Sequence, residues 1–303
     1  MNIRFCDFDM DKALVAPVIY DNKPHCTTNR GVVLSKDVAE ELAGFLADFN
    51  ESVGMGASKP CVLGPYYRID AYFSETCIYI LEINAAFVDG WGTALNLARA
   101  ANIKADEEKL CFPMEFGCLG RLYQPEFELF ISELDIRDCL NPGFCSFDPI
   151  PKYVYGRVEE KSDEIFPYDG VRLDNKRNLG LFGRTWRSDL VKVPRHYMAP
   201  ENSWEEVPPE AVLKFCDKGS KECRRAGPSV FFGKPSGKAP FIKRCYNEQK
   251  LLGQELVQPT RQGNKNCQLV ILVIGNTPIT GYVQYGWEKI INDDSIHGPL
   301  MIE

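Results

Sequence analysis

The sequence predicts an α+β protein of several lobes, and three observations carry that prediction. Apolar residues recur at helical spacing in some segments and alternate at strand spacing in others. Turn-rich stretches near 104 to 120, 141 to 170 and 198 to 209 separate these segments. At 303 residues, with 45% hydrophobic and 25% charged residues, the chain can build one large domain or two to three smaller ones, each with a core.

Taken in order, Ser35 is a candidate N-cap for a helix whose apolar residues are Val38, Leu42, Phe45, Leu46 and Phe49. Two strands follow across 68–84. Thr93 is the candidate cap of a short helix through Leu95, Leu97, Ala98 and Ala101. Pro125 suits the first turn of a helix through Phe127, Phe130, Ile131 and Leu134. A helix through Leu179 and Leu181 is expected after Lys176, and then extended LVKVP. A β-rich run closes the chain: AVLKFC, SVFFG, ELVQP, QLVILVIGNTPITGYVQYG and EKIIN. GNTP at 275–278 supplies turn residues, so an antiparallel hairpin is expected there.

Composition excludes several functions. No stretch approaches the roughly 18 apolar residues of a bilayer span, so a membrane partner is not expected. The N-terminal MNIRFCDFDMDK alternates charged and apolar residues and lacks the apolar centre of a secretory signal, which points to a cytoplasmic protein. The 12 cysteines form no CxxC pair and no zinc spacing, and are expected as free thiols. His25, His196 and His297 are far apart and read as surface or packing residues. A net charge of -7 argues against a nucleic-acid groove, while a local basic pocket for a small anion is compatible with it.

The stretch RIDAYFSETCIYILEIN, residues 68–84, sets Arg68, Asp70, Glu82 and Asn84 into two otherwise apolar strands. Arg68, Asp70 and Tyr72 share one face of the first strand; Glu82 and Asn84 share one face of the second, beside Ile78 and Ile80. Asp70 opposite Glu82 also sets Arg68 opposite Asn84, because one turn centred on Thr76 relates both pairs. The loop Glu75, Thr76, Cys77 lacks the glycine such loops favour. Two facing carboxylates in apolar surroundings need Arg68, a proton or a cation to stay charged. Magnesium prefers oxygen ligands, and two carboxylates plus the amide oxygen of Asn84 leave positions for nucleotide phosphates. On the residues alone, the hairpin is either a structural Arg68–Asp70 pair or a metal site.

Later segments add to this. LDNK (173–176) precedes a helix, Lys214 lies within apolar AVLKF, and QELVQP spans 254–259. Arg-x-Asp, Glu-x-Asn, Asp-Asn-Lys, the strand lysine and ELVQP, in joint order, resemble the ATP-grasp ligases over roughly residues 30 to 100 and 170 to 292. Most members carry the lysine-bearing lobe first and the metal-bearing strands last; here the linear order is reversed and the cyclic order unchanged. The chain therefore resembles a circularly permuted ATP-grasp protein, similar to glutathionylspermidine synthetase-like and eukaryotic glutathione synthetase-like enzymes. Permutation costs little when termini are close and exposed.

The resemblance implies two α+β lobes sandwiching ATP, with a small additional α/β substrate lobe. Residues 1–105 would form the metal-binding lobe, 106–200 a middle substrate domain and 201–303 the nucleotide-binding lobe. Asp70, Glu82 and Asn84 match the family's magnesium ligands, and Arg68 the basic residue that contacts phosphate or the reacting acyl group. Lys176 and Lys214 match the phosphate-binding lysines. Glu255, Leu256, Val257 and Gln258 match the segment whose backbone meets adenine, with Pro259 ending its donors. A phosphate-covering flap is matched either by DKGSKECRRAG, with Lys218, or by GKPSGK, with Lys234 and Lys238. Asp89, Gly90, Trp91 and Gly92 directly follow the metal strand and are candidates for substrate contact, or else a tight turn before a helix.

Two departures stand out. The strand after GNTP carries Gln284 where a basic residue is expected, and the metal-proximal asparagine is either Asn292 or Asn29. The expected activity is an ATP- and magnesium-dependent, ADP-forming carboxylate–amine or carboxylate–thiol ligase with an acyl-phosphate intermediate. Its partners would be small-molecule carboxylate and amine substrates, and a homo-oligomer is compatible with this. The alternatives are a nucleotide-binding or interaction protein of reduced activity and a phosphotransferase, both of the same fold.

Overall fold

Among the described residues, a curled sheet of 10 strands organises the fold, with helices around it and around a smaller sheet, in a mixed α+β architecture. The computed structural model describes residues 1–16, 19–20, 23–24, 26–54, 66–85, 88–104, 116–117, 125–126, 128–130, 132–133, 153–154, 157–158, 170–288, 291 and 295–303. The strands of the large sheet are β1 (Ile3–Asp7), β2 (Cys26–Thr27), β3 (Arg30–Leu34), β4 (Tyr66–Phe73), β5 (Ile78–Asn84) and β6 (Val191–Lys192). The small sheet follows with β7 (His196–Tyr197), β8 (Val212–Phe215), β9 (Val230–Phe232) and β10 (Leu251–Gln254). The chain then returns to the large sheet as β11 (Arg261–Gln262), β12 (Lys265–Ile274), β13 (Thr277–Gly286) and β14 (Ile296–Ile302). The helices are α1 (Lys36–Ser52), α2 (Trp91–Ala100), α3 (Gly170–Leu173), α4 (Lys176–Phe182), α5 (Lys221–Ala226) and α6 (Ala239–Asn247).

The large sheet runs β1-β3-β14-β13-β12-β4-β5-β6, with β2 beside β14 and β11 beside β12. Its pairs are antiparallel except β14 with β3 and with β2, and β6 with β5. The β12–β13 hairpin turns at Gly275, whose φ of 66 degrees suits a residue without Cβ. The first and last strands lie one strand apart in the sheet, and Arg4 Nη2 pairs with Glu303 Oε1 at 2.8 Å.

One face of the sheet carries the main core. Helix α1 starts at the expected Ser35 and buries Val38, Leu42, Phe45, Leu46 and Phe49. Phe49 meets Tyr67 of β4 and Phe182 of α4 edge-on, so both helices pack on the odd-numbered side of β4. The opposite face meets α2, which begins earlier than expected: Gly90 at φ 93 degrees, not Thr93, is its N-cap. Gly90 has no side chain to cap with, and the Glu126 carboxylate does so instead, accepting from Thr93 N at 2.7 Å. Residues 125–126, 128–130 and 132–133 are helical, in keeping with a start at Pro125; Phe127, Ile131 and Leu134 lie outside the described residues. The buried Glu133 ties this segment to α2, pairing with Arg99 Nε at 2.9 Å and accepting from Asn96 Nδ2 at 2.6 Å.

The small lobe has its own core, built from Trp204, Leu213, Phe215, Ile242, Tyr246 and Leu251 among others. Its strands run β7-β10-β8-β9. The sheets divide the chain differently from the sequence boundaries at 105 and 200. Residues 265–302 pair with the strands of the first hundred residues, so the small lobe is an excursion between β6 and β11. The turn-rich stretch at 198–209 lies inside that excursion and does not mark its edge.

Candidate functional site

Strands β4 and β5 pair with Arg68 opposite Asn84 and Asp70 opposite Glu82, the register expected from the turn. The register shifts between Asp70 and Ala71, because Leu81 is an extra residue on β5 with no partner on β4. This bulge reverses the facing of everything before it. Ile80 pairs with Ala71 and Ile78 with Phe73 in the main core, so neither lies beside Glu82 and Asn84 as the plain alternation predicts. Tyr79, opposite Tyr72, joins the polar face instead.

Among the described residues the outer edge of β5 beyond Tyr79 has no strand neighbour, since β6 pairs with Ile78 and Tyr79. The small lobe and the start of α4 cover that edge with side chains. Lys214 Nζ donates to Leu81 O at 2.9 Å, Gln254 Nε2 to the same oxygen at 3.0 Å, and Lys176 Nζ to Ile83 O at 3.4 Å. Lys214 reaches this edge because Leu213 and Phe215 fill the small-lobe core, leaving Lys214 to the other face of β8. β8 is an inner strand of its sheet, so Lys214 is not an edge lysine; it is 8% exposed.

The expected carboxylates and lysines therefore meet. Glu82 Oε1 pairs with Lys176 Nζ at 2.9 Å and closely with Lys218, while Glu82 Oε2 lies 3.9 Å from Lys214 Nζ. Asn84 Oδ1 accepts from Lys176 at 3.2 Å and Lys218 at 3.0 Å, and Asn84 Nδ2 donates to Asp70 Oδ2 at 3.1 Å. Asp174 pairs closely with Lys176. Burial alone would raise the Glu82 carboxyl, but Lys176, Lys218 and Lys214 hold it well below its usual range. Burial pushes Lys214 down to about 8 despite Glu82, and raises Asp174 despite Lys176.

Of the two candidate flaps, only the first sends a lysine here. Lys218 joins the cluster, whereas Lys234 donates to Trp204 O at 2.8 Å and Lys238 to Ala226 O. The first stretch also includes the helical residues of α5, which its glycines concealed, and the second ends at Lys238, the N-cap of α6.

Arg68 extends the network away from the lysines. Its Nε donates to Asp70 Oδ1 at 3.0 Å and its Nη1 pairs closely with Asp89. Asp89 thus sits beside the site, while Trp91 and Gly92 are buried in the packing of α2. A Cβ on Gly90 would lie 2.7 Å from the Tyr282 hydroxyl, and one on Gly92 would lie 2.5 Å from Glu126 O. Tyr282 is two strands from Asp70 on the same face, through Val270. Burial pushes its phenol far up; Arg68 opposes this, and Asp89, Glu126 and Asp70 add to it.

The ELVQP segment is not a strand: β10 ends at Gln254 and Glu255–Gln258 leaves the sheet. Glu255, Leu256 and Val257 line a cavity of about 470 Å³ with Tyr79, Trp186 and Lys192. Tyr79 and Glu82 are three residues apart on β5, roughly 10 Å. Gln284 is buried and accepts from Gln268 Nε2 at 3.4 Å, so β13 supplies no cation there. The backbone carbonyl of Asn29 accepts from Phe8 N at 2.9 Å; Asn292 lies outside the described residues.

No protein-family model matches the sequence, and no curated protein matches it.

Sequence reasoning passed over Asp174 as a charge partner, Gln254, His196 and Glu126. Gln254 shares its two amide protons between Leu81 O and His196 Nε2, the latter at 3.0 Å, which requires that ring nitrogen to be unprotonated. Burial, aided by Lys214, pushes His196 down to about 3, in agreement. A polar residue ending an apolar strand was the available signal for Gln254; Glu126 had none. Among the described residues the cysteines are free thiols, no group of three His, Cys, Asp or Glu side chains forms a metal cluster, and no helix is long and apolar enough to cross a membrane.

Proposed function

We propose that the protein is an ATP- and magnesium-dependent ligase of the circularly permuted ATP-grasp type, joining a small carboxylate to an amine with release of ADP. The observation that carries this reading is the convergence beside β5 of Asp70, Glu82 and Asn84 with Lys176 of α4 and with Lys214 and Lys218 of the small lobe. The adjacency of β1, β3 and β14 supports the permuted order, since strands from both ends of the chain share one sheet.

The donor set fits a hard cation: two carboxylates and a neutral amide oxygen. Glu82 Oε1 and Asn84 Oδ1 already converge on the same positive charges, the ammonium groups of Lys176 and Lys218. Asp70, Glu82 and Asn84 would hold magnesium, which when bound offsets phosphate charge and aligns the γ-phosphate. Lys176, Lys214 and Lys218 would turn from Glu82 to the phosphate oxygens, exchanging one anionic partner for another. Glu255, Leu256 and Val257 would line the adenine end, at the cavity beside Tyr79. Arg68, held by Asp70 and Asp89, would steady the acyl phosphate or the oxyanion formed when the nucleophile attacks.

Positioning and charge neutralisation supply the catalysis, because phosphoryl transfer asks little covalent chemistry of the protein. A panel of carboxylic acids with ATP, magnesium and hydroxylamine tests the reading: one acid should give a hydroxamate together with ADP. ADP formation with no hydroxamate from any acid would instead favour a phosphotransferase. Gln284 in place of a basic residue favours a second reading, a nucleotide-binding protein of reduced turnover; in that case MgATP binds and neither product forms.

A further inference from the structure

The polar face of the sheet is electrically lopsided. At one end Lys176, Lys214 and Lys218 face Glu82 and Asp174, leaving positive charge in excess. At the other end, among the described residues, Arg68 alone faces Asp70 and Asp89, with the Glu126 carboxyl group close enough to act on both Asp89 and the Tyr282 phenol. The lysine end suits the phosphates, and the far end suits a cation.

Glu126 is the unexplained member. It is 4% exposed, and its Oε1 is committed to the N-terminus of α2 through Thr93 N at 2.7 Å. Its Oε2 is buried and has no hydrogen-bond partner among the described residues. A buried carboxylate oxygen left unmatched is costly, and a substrate ammonium would satisfy it. Asp89 and the Tyr282 hydroxyl offer such an ammonium further acceptors, and the absence of a Cβ at Gly90 leaves that hydroxyl unobstructed.

We propose that Glu126 Oε2, with Asp89 and Tyr282, binds the ammonium group of the nucleophile and takes its proton, so that the second substrate is an amine and not a thiol. This rests on the ligase reading above. The carboxylate attacks the γ-phosphate and ADP leaves. The ammonium gives one proton to Glu126, and the free amine forms a C–N bond to the acyl carbon. The C–O bond to phosphate then breaks, with the electron pair leaving on phosphate. The nitrogen loses its second proton to the departing phosphate, and Glu126 returns the first to water. Burial raises the Glu126 carboxyl to about 8, so it is above that pH that the ionised group takes the proton from the ammonium.

The test uses the acid found in the hydroxamate panel and compares two nucleophiles in Glu126→Gln, which keeps the Oε1 acceptor for Thr93. At about pH 8.5, above the raised Glu126 value, hydroxylamine is neutral and needs no base, so hydroxamate formation should change by less than about threefold while turnover with methylammonium falls roughly 100-fold or more. Equal effects on both nucleophiles, or none on either, would overturn the proposal and leave the ligase reading standing. No hydroxamate from the unaltered protein with any acid would overturn both. The unaltered protein provides a second arm that requires no variant: ammonium chloride should raise acid-dependent ADP release to saturation and methanethiol should not. The reverse preference would overturn the amine assignment.

Discussion

At the level of single residues, Glu82 bears the most weight, since three ammonium groups share it. Removing one partner of a buried ion pair costs about 3–5 kcal/mol. Glu82→Gln should therefore lower stability by an amount of that order and abolish ADP release; unchanged turnover would contradict its role. The pairings Arg68–Asn84 and Asp70–Glu82 were legible in the sequence because a single turn sets both. The bulge at Leu81 was not, because an extra apolar residue among apolar residues leaves no mark on the pattern. Lys218 was legible only as one of three lysines, since nothing local says which can reach across to β5.

Glu126 makes a separate prediction about pH. Its carboxyl is raised to about 8 in the folded protein by burial, so between the unfolded value of 4.5 and 8 the native state holds a proton that the unfolded chain has released. Its contribution is fully present below pH 4.5 and is lost as pH rises through 8, at most about 1.4 kcal/mol per pH unit. The difference in unfolding free energy between the native sequence and Glu126→Gln should shrink steadily over that interval. A constant difference would count against the raised value.

At the level of elements, β5 is an edge that only side chains close. Replacing Gln254 with Leu leaves Leu81 O one donor short and should cost about 1–3 kcal/mol. It should also increase hydrogen exchange along β10 and at the β5 edge more than in α1; uniform exchange changes would deny Gln254 a docking role. The N-terminus of α2 is equally exacting. Gly90→Ala meets both φ 93 degrees and the Tyr282 hydroxyl, so a loss of at least about 1–3 kcal/mol is expected in thermal unfolding. Helix α1 and the β12–β13 hairpin were readable from strong periodicity and turn residues. Helices α5 and α6 were not, being short and flanked by glycines that suggested loops, and β14 was hidden by Gly298 and Pro299 within it. The start of α2 was misread because its cap comes from Glu126, more than thirty residues away in the sequence.

At the level of the whole molecule, two sheets meet along one line of charge, and the small lobe closes on the large one through Lys214, Lys218 and Gln254. The α+β class followed from local patterns, whereas the return of the chain to the first sheet at β11 did not, because strand pairing across two hundred residues has no local signature. A ligand that parts these groups and replaces their pairing should stabilise the fold. Saturating MgATP at 100 times its dissociation constant would add about 2.7 kcal/mol, visible as a raised melting temperature that EDTA reverses.

The most direct measurement is a crystal structure with magnesium and a non-hydrolysable ATP analogue. The account predicts a metal at about 2.0–2.1 Å from oxygens of Asp70 and Glu82, and the ammonium groups of Lys176, Lys214 and Lys218 moved from Glu82 onto the phosphates. Nucleotide bound elsewhere, with the lysine–Glu82 pairs intact, would contradict it.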